Sequence, residues 1–158
     1  MPSYISILRP ANGLMSAIAV YIGSVLVGGP VVPGQSVLIG MLVVFLISGA
    51  GMVVNDKLDI HIYKVNRPNR PLPSGRISIR AAYIYSSLLF LVGNALSYVY
   101  LSKNAFYISA LATVLLIAYN SKLKRVMLAG HIAVSALVAV TFIFGSIVQN
   151  NTYQIVLP

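Results

Sequence analysis

Asp56 and Asp59 are the only acidic side chains in a chain of 158 residues, and they stand one helical turn apart. Positions i and i+3 share a helix face. Asn55 adds a neutral oxygen donor one turn before Asp59. Oxygen donors at this spacing suit a hard divalent cation such as Mg2+. Asn and Asp also favour helix N-termini, so a cap is the plain alternative. A cap leaves unexplained why the chain's whole acidic inventory gathers in one place.

Basic residues follow at once in NDKLDIHIYKVNRPNRPLPSGRISIR, residues 55–80. Carboxylates and an amide followed by clustered Arg and Lys describe a diphosphate–Mg2+ site. The metal bridges carboxylate to phosphate, and the cations neutralise what remains. Arg67, Arg70 and Arg76 are the candidates for planar phosphate contacts. Membrane topology is the competing explanation for each of them taken singly. A second group is AYNSKLKR, residues 118–125. Tyr119 and Lys122 lie about one turn apart, with Lys124 and Arg125 beyond. They read either as a phosphate-facing pair or as an interfacial Tyr with snorkelling Lys. The third group is Arg9-Pro10-Ala11-Asn12, in which Asn12 is a polar pocket residue or a helix cap. His61 reads as interfacial and His131 as a packing residue.

The elements that must position these groups are membrane helices. The chain is 58% hydrophobic and 8% charged, against about 25% charged in ordinary globular chains. Five apolar segments run over 11–29, 36–54, 81–101, 105–119 and 128–148. Crossing a bilayer takes about 20 residues; the fourth segment is the short one. Small-residue stretches such as SGAGM and AVSALVAV favour close helix packing in lipid. With no Cys, thiolate and disulfide chemistry are excluded. With no Trp, the ten Tyr must supply the interfacial aromatics. The N-terminus lacks a basic n-region and a small-residue cleavage site, so the first segment is expected to be retained as a span.

A net charge of +9 raises nucleic acid as a partner. Instead, the charges sit in short links between apolar runs, the pattern that sets membrane topology. Arg9, the long link (Lys57, Lys64, Arg67, Arg70, Arg76, Arg80) and the link after the fourth segment (Lys122, Lys124, Arg125) hold every basic residue but Lys103. The positive-inside rule puts the N-terminus, both basic links and the carboxylate pair on the cytoplasmic side of the cell membrane. The C-terminus then lies outside after five spans. In the long link, residues up to about Val65 contain no Pro or Gly and extend the second helix. Asn55, Asp59 and Tyr63 then form one stripe. Pro68, Pro71, Pro73 and Gly75 enforce a rigid irregular turn.

The string NDKLDIHIYKVNRPNRPLPSGRIS resembles the first signature of the UbiA-type intramembrane prenyltransferases, approximately N-D-x-x-D-x-x-x-D followed by N-x-P-x-R-P-L-P-S-G. RPAN and YNSKLKR fall where that family has further elements. The resemblance covers the whole chain, 1–158, as one partial membrane domain: about the first half of an all-α, nine-helix fold around a central cavity. It implies Mg2+-dependent transfer of a prenyl chain from a prenyl diphosphate to an acceptor. It implies metal ligands at Asn55, Asp56 and Asp59, and diphosphate contacts from Asn12, Asn55, Arg67 and Arg70. Catalytic roles are implied for Asp56, Asp59, Tyr119, and Lys122 or Lys124. The compact link and the YN-x-x-L-K form are similar to the archaeal branch, which attaches a geranylgeranyl chain to a glycerol-phosphate ether lipid. Quinone, chlorophyll and haem prenyltransferases share these motifs and remain alternatives.

Two departures matter. Tyr63 stands where the family usually has a third Asp. The family's second Asp-rich motif has no counterpart in this sequence. The expectation is therefore a truncated or split domain with little turnover of its own, completed by a C-terminal half or a second copy. A catalytically inactive membrane binding or assembly module is the rival from another class. A small transporter is a weaker one, because no carboxylate falls inside an apolar segment.

Overall fold

Apolar segments bounded by polar links fold as helices in lipid, because each backbone polar group must be satisfied within its own segment. A computed structural model describes residues 3–155, and side chains as far as residue 150. Helix α1 (Ser3–Ser6) leads into α2 (Pro10–Leu26), α3 (Gln35–Leu58), α4 (Ile60–Asn66), α5 (Ile79–Tyr100), α6 (Lys103–Ser121) and α7 (Met127–Ile155). A short 3-10 turn, Leu123–Arg125, joins α6 to α7. No strand occurs among the described residues. Helices α3, α5, α6 and α7 are long and apolar enough to cross a membrane; α2, at 17 residues, is the shorter apolar helix. The chain is a multi-pass membrane protein. The short segment is thus the first, not the fourth: α6 gains length because it starts at Lys103, capped by Ser102, which accepts from the Ala105 amide at 3.1 Å. Ser78 caps α5 in the same way, through the Ala81 amide.

Helix α3 is the axis of the bundle. Its most apolar stretch is 44% buried, against 17–22% for the other three spans. It packs on α2, α5, α6 and α7. Val20, Val37, Val43, Ile47, Ala105, Phe144 and Val148 form the membrane-embedded core. Helices α2 and α7 meet backbone to backbone. A Cβ on Gly23 would collide with the Phe142 carbonyl, and one on Gly145 with the Val20 carbonyl. In lipid, small residues drive association by allowing such approach. A second cluster of Ile7, Val53, Leu72, Ile77 and Ala82 seals the end that carries the long link. It fastens α1 and the Pro-rich turn to the end of α3.

The expected continuation of the second helix is interrupted. Asp59 closes α3 and precedes α4, with φ −98° and ψ 15°. The i→i+4 bonds nonetheless carry across the break: Asp59 N–H to Asn55 O at 3.0 Å, and Tyr63 N–H to Asp59 O at 2.9 Å. The Asn55–Asp59–Tyr63 stripe therefore survives. His131, expected to pack, is exposed, and its Nδ1 lies 2.6 Å from the Met127 carbonyl on its own helix.

Candidate functional site

The carboxylates sit where α3 leaves the bundle. Asp56 is buried at 2% exposure and Asp59 is partly buried at 18%. A buried carboxylate needs compensation by charge and hydrogen bonds. Asp56 Oδ1 receives the Arg9 guanidinium and, at 3.1 Å, Arg70 Nη1. Asp59 Oδ1 receives Lys124 Nζ at 2.6 Å, and the same ammonium donates to Asn55 Oδ1 at 3.1 Å. Asn55 Nδ2 donates to the Tyr63 hydroxyl at 3.2 Å. The Arg70 guanidinium stacks over the Tyr63 ring, 4.1 Å from its centroid. Three cations face two carboxylates, so the cluster carries one positive charge in excess.

Each cation is presented by a different local device. Arg9 adopts a left-handed backbone, φ 50° and ψ 68°, just before Pro10. Such a conformation costs a non-glycine residue about 1–3 kcal/mol and persists only where its surroundings impose it. Here buried Ile7 and the ion pair to Asp56 impose it. Arg70 is set by the Pro-rich turn, in which the Ser74 amide bonds Arg70 O and the Ile77 amide bonds Pro71 O. Gly75 takes φ +76°, a value that favours glycine. Arg76 braces this turn, donating through Nε to Ser74 Oγ at 3.0 Å and through Nη2 to the Asn69 carbonyl. Lys124 lies in the 3-10 turn, which swings it back over the end of α3.

Burial acts to lower the affinity of Arg9 for its proton, but the Tyr63 hydroxyl and Asp56 more than offset this and raise its pKa. Burial acts to raise the Tyr63 phenol, but hydrogen bonds and charge from Arg9 and Arg70 outweigh it, and its pKa falls below the ordinary value.

Beside the cluster lies a cavity of about 360 Å3 between α3, α6 and α7. Arg9, Asn55, Tyr119 and Asn120 contribute its polar lining near the carboxylates, while Leu116, Leu137 and Phe144 represent its apolar walls. Asn120 is buried and donates to the carbonyls of Gly51 at 3.2 Å and Leu116 at 3.0 Å, tying α6 to α3.

The structure gathers Asn55, Asp56, Asp59, Arg70 and Lys124, with Tyr119 on the adjoining wall. It leaves three candidates aside. Arg67 and Lys122 are exposed and outside the ion-pair cluster. Asn12 is neither a cap nor a cavity residue: it is exposed within α2, and its carbonyl accepts from Ser16 Oγ at 3.2 Å. Sequence reasoning passed over Arg9, which does line the cavity. Nothing local singled it out within the Arg9-Pro10-Ala11-Asn12 group. Tyr63, read from sequence as a departure from the family pattern, turns out to organise both arginines.

The donor set fits a hard cation. All three ion pairs fall on Oδ1, so Oδ2 of each carboxylate stands outside them. No group of three or more His, Cys, Asp or Glu occurs among the described residues. Mg2+ is commonly held by one or two carboxylates together with waters and substrate phosphates. A net-positive rim around such a pair suits a metal that arrives with an anionic partner.

Residues 16–157 match the model of the UbiA prenyltransferase family. Digeranylgeranylglyceryl phosphate synthase of Methanosphaera stadtmanae is 38% identical over 96% of this chain and 54% of its own length. The synthase of Methanothermobacter thermautotrophicus is 39% identical over 96% and 52%. The chain thus spans about half the length of the curated relatives it matches. A solved structure concerned with digeranylgeranylglyceryl phosphate synthase in membranes superposes with TM-score 0.88 at 29% identity, over 98% of this chain and 55% of the other. A UbiA homolog from Archaeoglobus fulgidus, bound to DMAPP and Mg2+, superposes with TM-score 0.84 at 18% identity, over 94% and 55%; that likeness concerns the fold. The match over nearly the whole chain shows that this protein belongs to the UbiA prenyltransferase family.

Proposed function

We propose that this chain carries the diphosphate-binding part of a Mg2+-dependent prenyltransferase of membrane lipid synthesis. Its donor is geranylgeranyl diphosphate, and its acceptor is geranylgeranylglyceryl phosphate. The observation that carries the reading is the net-positive Asn55–Asp56–Asp59 cluster beside an apolar cavity of about 360 Å3. The relatives named for digeranylgeranylglyceryl phosphate synthesis support the choice of substrates.

Asp56 and Asp59, with Asn55, would hold Mg2+, which when bound would supply positive charge to the diphosphate. Arg9, Arg70 and Lys124 neutralise the phosphate oxygens and stabilise them as the allylic C–O bond breaks. The apolar walls of α3, α6 and α7 shelter the prenyl chain and exclude water from the cation that forms. The acceptor hydroxyl oxygen then closes the new C–O bond, and its proton passes to the departing diphosphate. Tyr119 lies on the cavity wall beside the reacting end. The basic links face the cytoplasm, as the distribution of Lys and Arg requires.

With two carboxylates in all, this chain supplies one acidic motif. A complementing C-terminal half or a second copy completes the site, and the chain alone turns over slowly if at all. The test uses the full chain in phosphatidylcholine nanodiscs, titrated with a non-hydrolysable geranylgeranyl thiolodiphosphate. The expected result is binding that Mg2+ strengthens, with that gain lost in Asp59→Ala. Equal Mg2+-dependent binding by parent and variant would overturn the metal assignment.

A further inference from the structure

The cluster contains a relationship that the proposed chemistry does not by itself require. Each cation assigned to phosphate is held by a carboxylate assigned to metal. Arg9 and Arg70 share Oδ1 of Asp56, and Lys124 occupies Oδ1 of Asp59. None of these side chains is more than about a quarter exposed, the highest being Arg9 at 26%. Water therefore screens the contacts poorly.

We infer that the site exchanges partners: Mg2+ takes the carboxylates from Arg9, Arg70 and Lys124, and the released cations take the diphosphate, so that neither ligand binds well without the other. This rests on the diphosphate reading above and specifies how that site is regulated by its own ligands. Mg2+ arriving alone at the Oδ2 edges draws both carboxylates away from the cations on Oδ1 and then sits beside three positive charges left short of a partner. Diphosphate arriving alone meets cations already paired, with one positive charge in excess among them and two carboxylates behind them. Arriving together, the ligands leave every charge with an opposite neighbour. The coupling is reciprocal, since each ligand must favour the other by the same factor.

The surroundings suit an exchange without collapse. Tyr63 holds Arg70 by its ring and anchors Asn55 through its hydroxyl, so Arg70 does not depend on Asp56 alone for its position, nor Asn55 on Lys124. Arg9 already lines the cavity, and Lys124 keeps Asn55 Oδ1 as a second contact. An Asp at position 63 would bring a third carboxylate to bind Arg9 and Arg70 more firmly. Tyr63 leaves them releasable.

The experiment measures binding, not turnover, on the full chain in phosphatidylcholine nanodiscs. The probes are geranylgeranyl thiolodiphosphate with and without Mg2+, and Mn2+ followed by paramagnetic resonance as the stand-in for Mg2+ alone. In the parent, metal should tighten the diphosphate analogue at least about tenfold, and the analogue should tighten metal by the same factor; couplings of about 5–150-fold are typical. Asp59→Asn should bind the metal-free analogue more tightly than the parent, because Lys124 is released, and should lose the gain from metal. Lys124→Gln should do the reverse: tighter metal alone and weaker analogue. These opposite gains cannot arise from misfolding. If the parent binds metal and analogue independently, or if neither variant gains affinity for its remaining ligand, the exchange is wrong while the diphosphate site stands. If the parent binds no analogue under any condition, both the exchange and the functional reading fall.

Discussion

Lys124 Nζ lies 2.6 Å from Asp59 Oδ1, although 65 positions separate them in the chain. The contact joins the turn after α6 to the point where α3 breaks. It also selects among the basic residues of that turn. Lys122 and Arg125 are exposed, and Lys124 alone of the three reaches the carboxylates. The ion pair closes the site across the two longest basic links.

Arg9 and Arg70 should behave as a coupled pair, since both end on Asp56 Oδ1. Removing one leaves the buried carboxylate a partner; removing both leaves it none. Unfolding measured by steric trapping in lipid should show Arg9→Ala/Arg70→Ala costing more than the sum of the single changes, by about 0.5–3 kcal/mol. Additive costs would mean that Asp56 is not held by both.

The α2–α7 crossing should tolerate no added side-chain volume. Gly23→Leu and Gly145→Leu each drive carbon into a facing carbonyl, at Phe142 and Val20 respectively. Overpacking of this kind costs about 1–3 kcal/mol, occasionally more. Gly34→Leu is the control, because a Cβ there meets nothing within 4 Å. Thermal unfolding in detergent should fall for the first two and stay near the parent for the third.

Tyr63 should be an early tyrosine to ionise. Hydrogen bonds and charge from Arg9 and Arg70 lower its pKa, so the phenolate is favoured in the folded state. At neutral pH the phenol is protonated whether folded or not, and the effect contributes nothing to stability. The contribution appears as pH rises through the lowered value, is complete above the unfolded value of about 10, and is lost again as pH falls. Subtracting the ultraviolet titration of Tyr63→Phe from that of the parent should leave a single-tyrosine transition centred below about 10. A midpoint at or above that value would mean that the arginines do not favour the phenolate.

Topology follows from the distribution of Lys and Arg, and a cysteine-free chain makes it simple to test. Val32, 79% exposed in the α2–α3 link, and Ser74, exposed in the long link, are suitable positions. In intact cells an impermeant maleimide should label Val32→Cys and spare Ser74→Cys until the membrane is opened. The reverse pattern would invert the protein in the bilayer.

The sequence by itself determined the class of the protein, because class depends on short-range properties. Apolar runs of bilayer length, a lack of charge within them and basic links between them require membrane helices. The Asn55–Asp59–Tyr63 stripe was equally legible, since a helical phase is fixed by spacing alone. Tertiary structure decided which basic side chains meet the acids. The link that contains Arg67 and Arg70 gives no local reason to prefer one; the plug of Leu72 and Ile77 against Ile7 and Val53 turns Arg70 inward and leaves Arg67 in the open. Asn12 was the more conspicuous polar residue near the first helix start, but the left-handed backbone at Arg9 brings that residue to Asp56 instead. Left-handed geometry in an Arg before Pro has no local preference to announce it, because distant contacts impose it. Lys122 and Lys124 differ by two positions, and only the 3-10 turn, packed between α6 and α7, rotates Lys124 onto α3. Residue type and spacing set which chemistry was available, and long-range packing set which atoms were close enough to perform it.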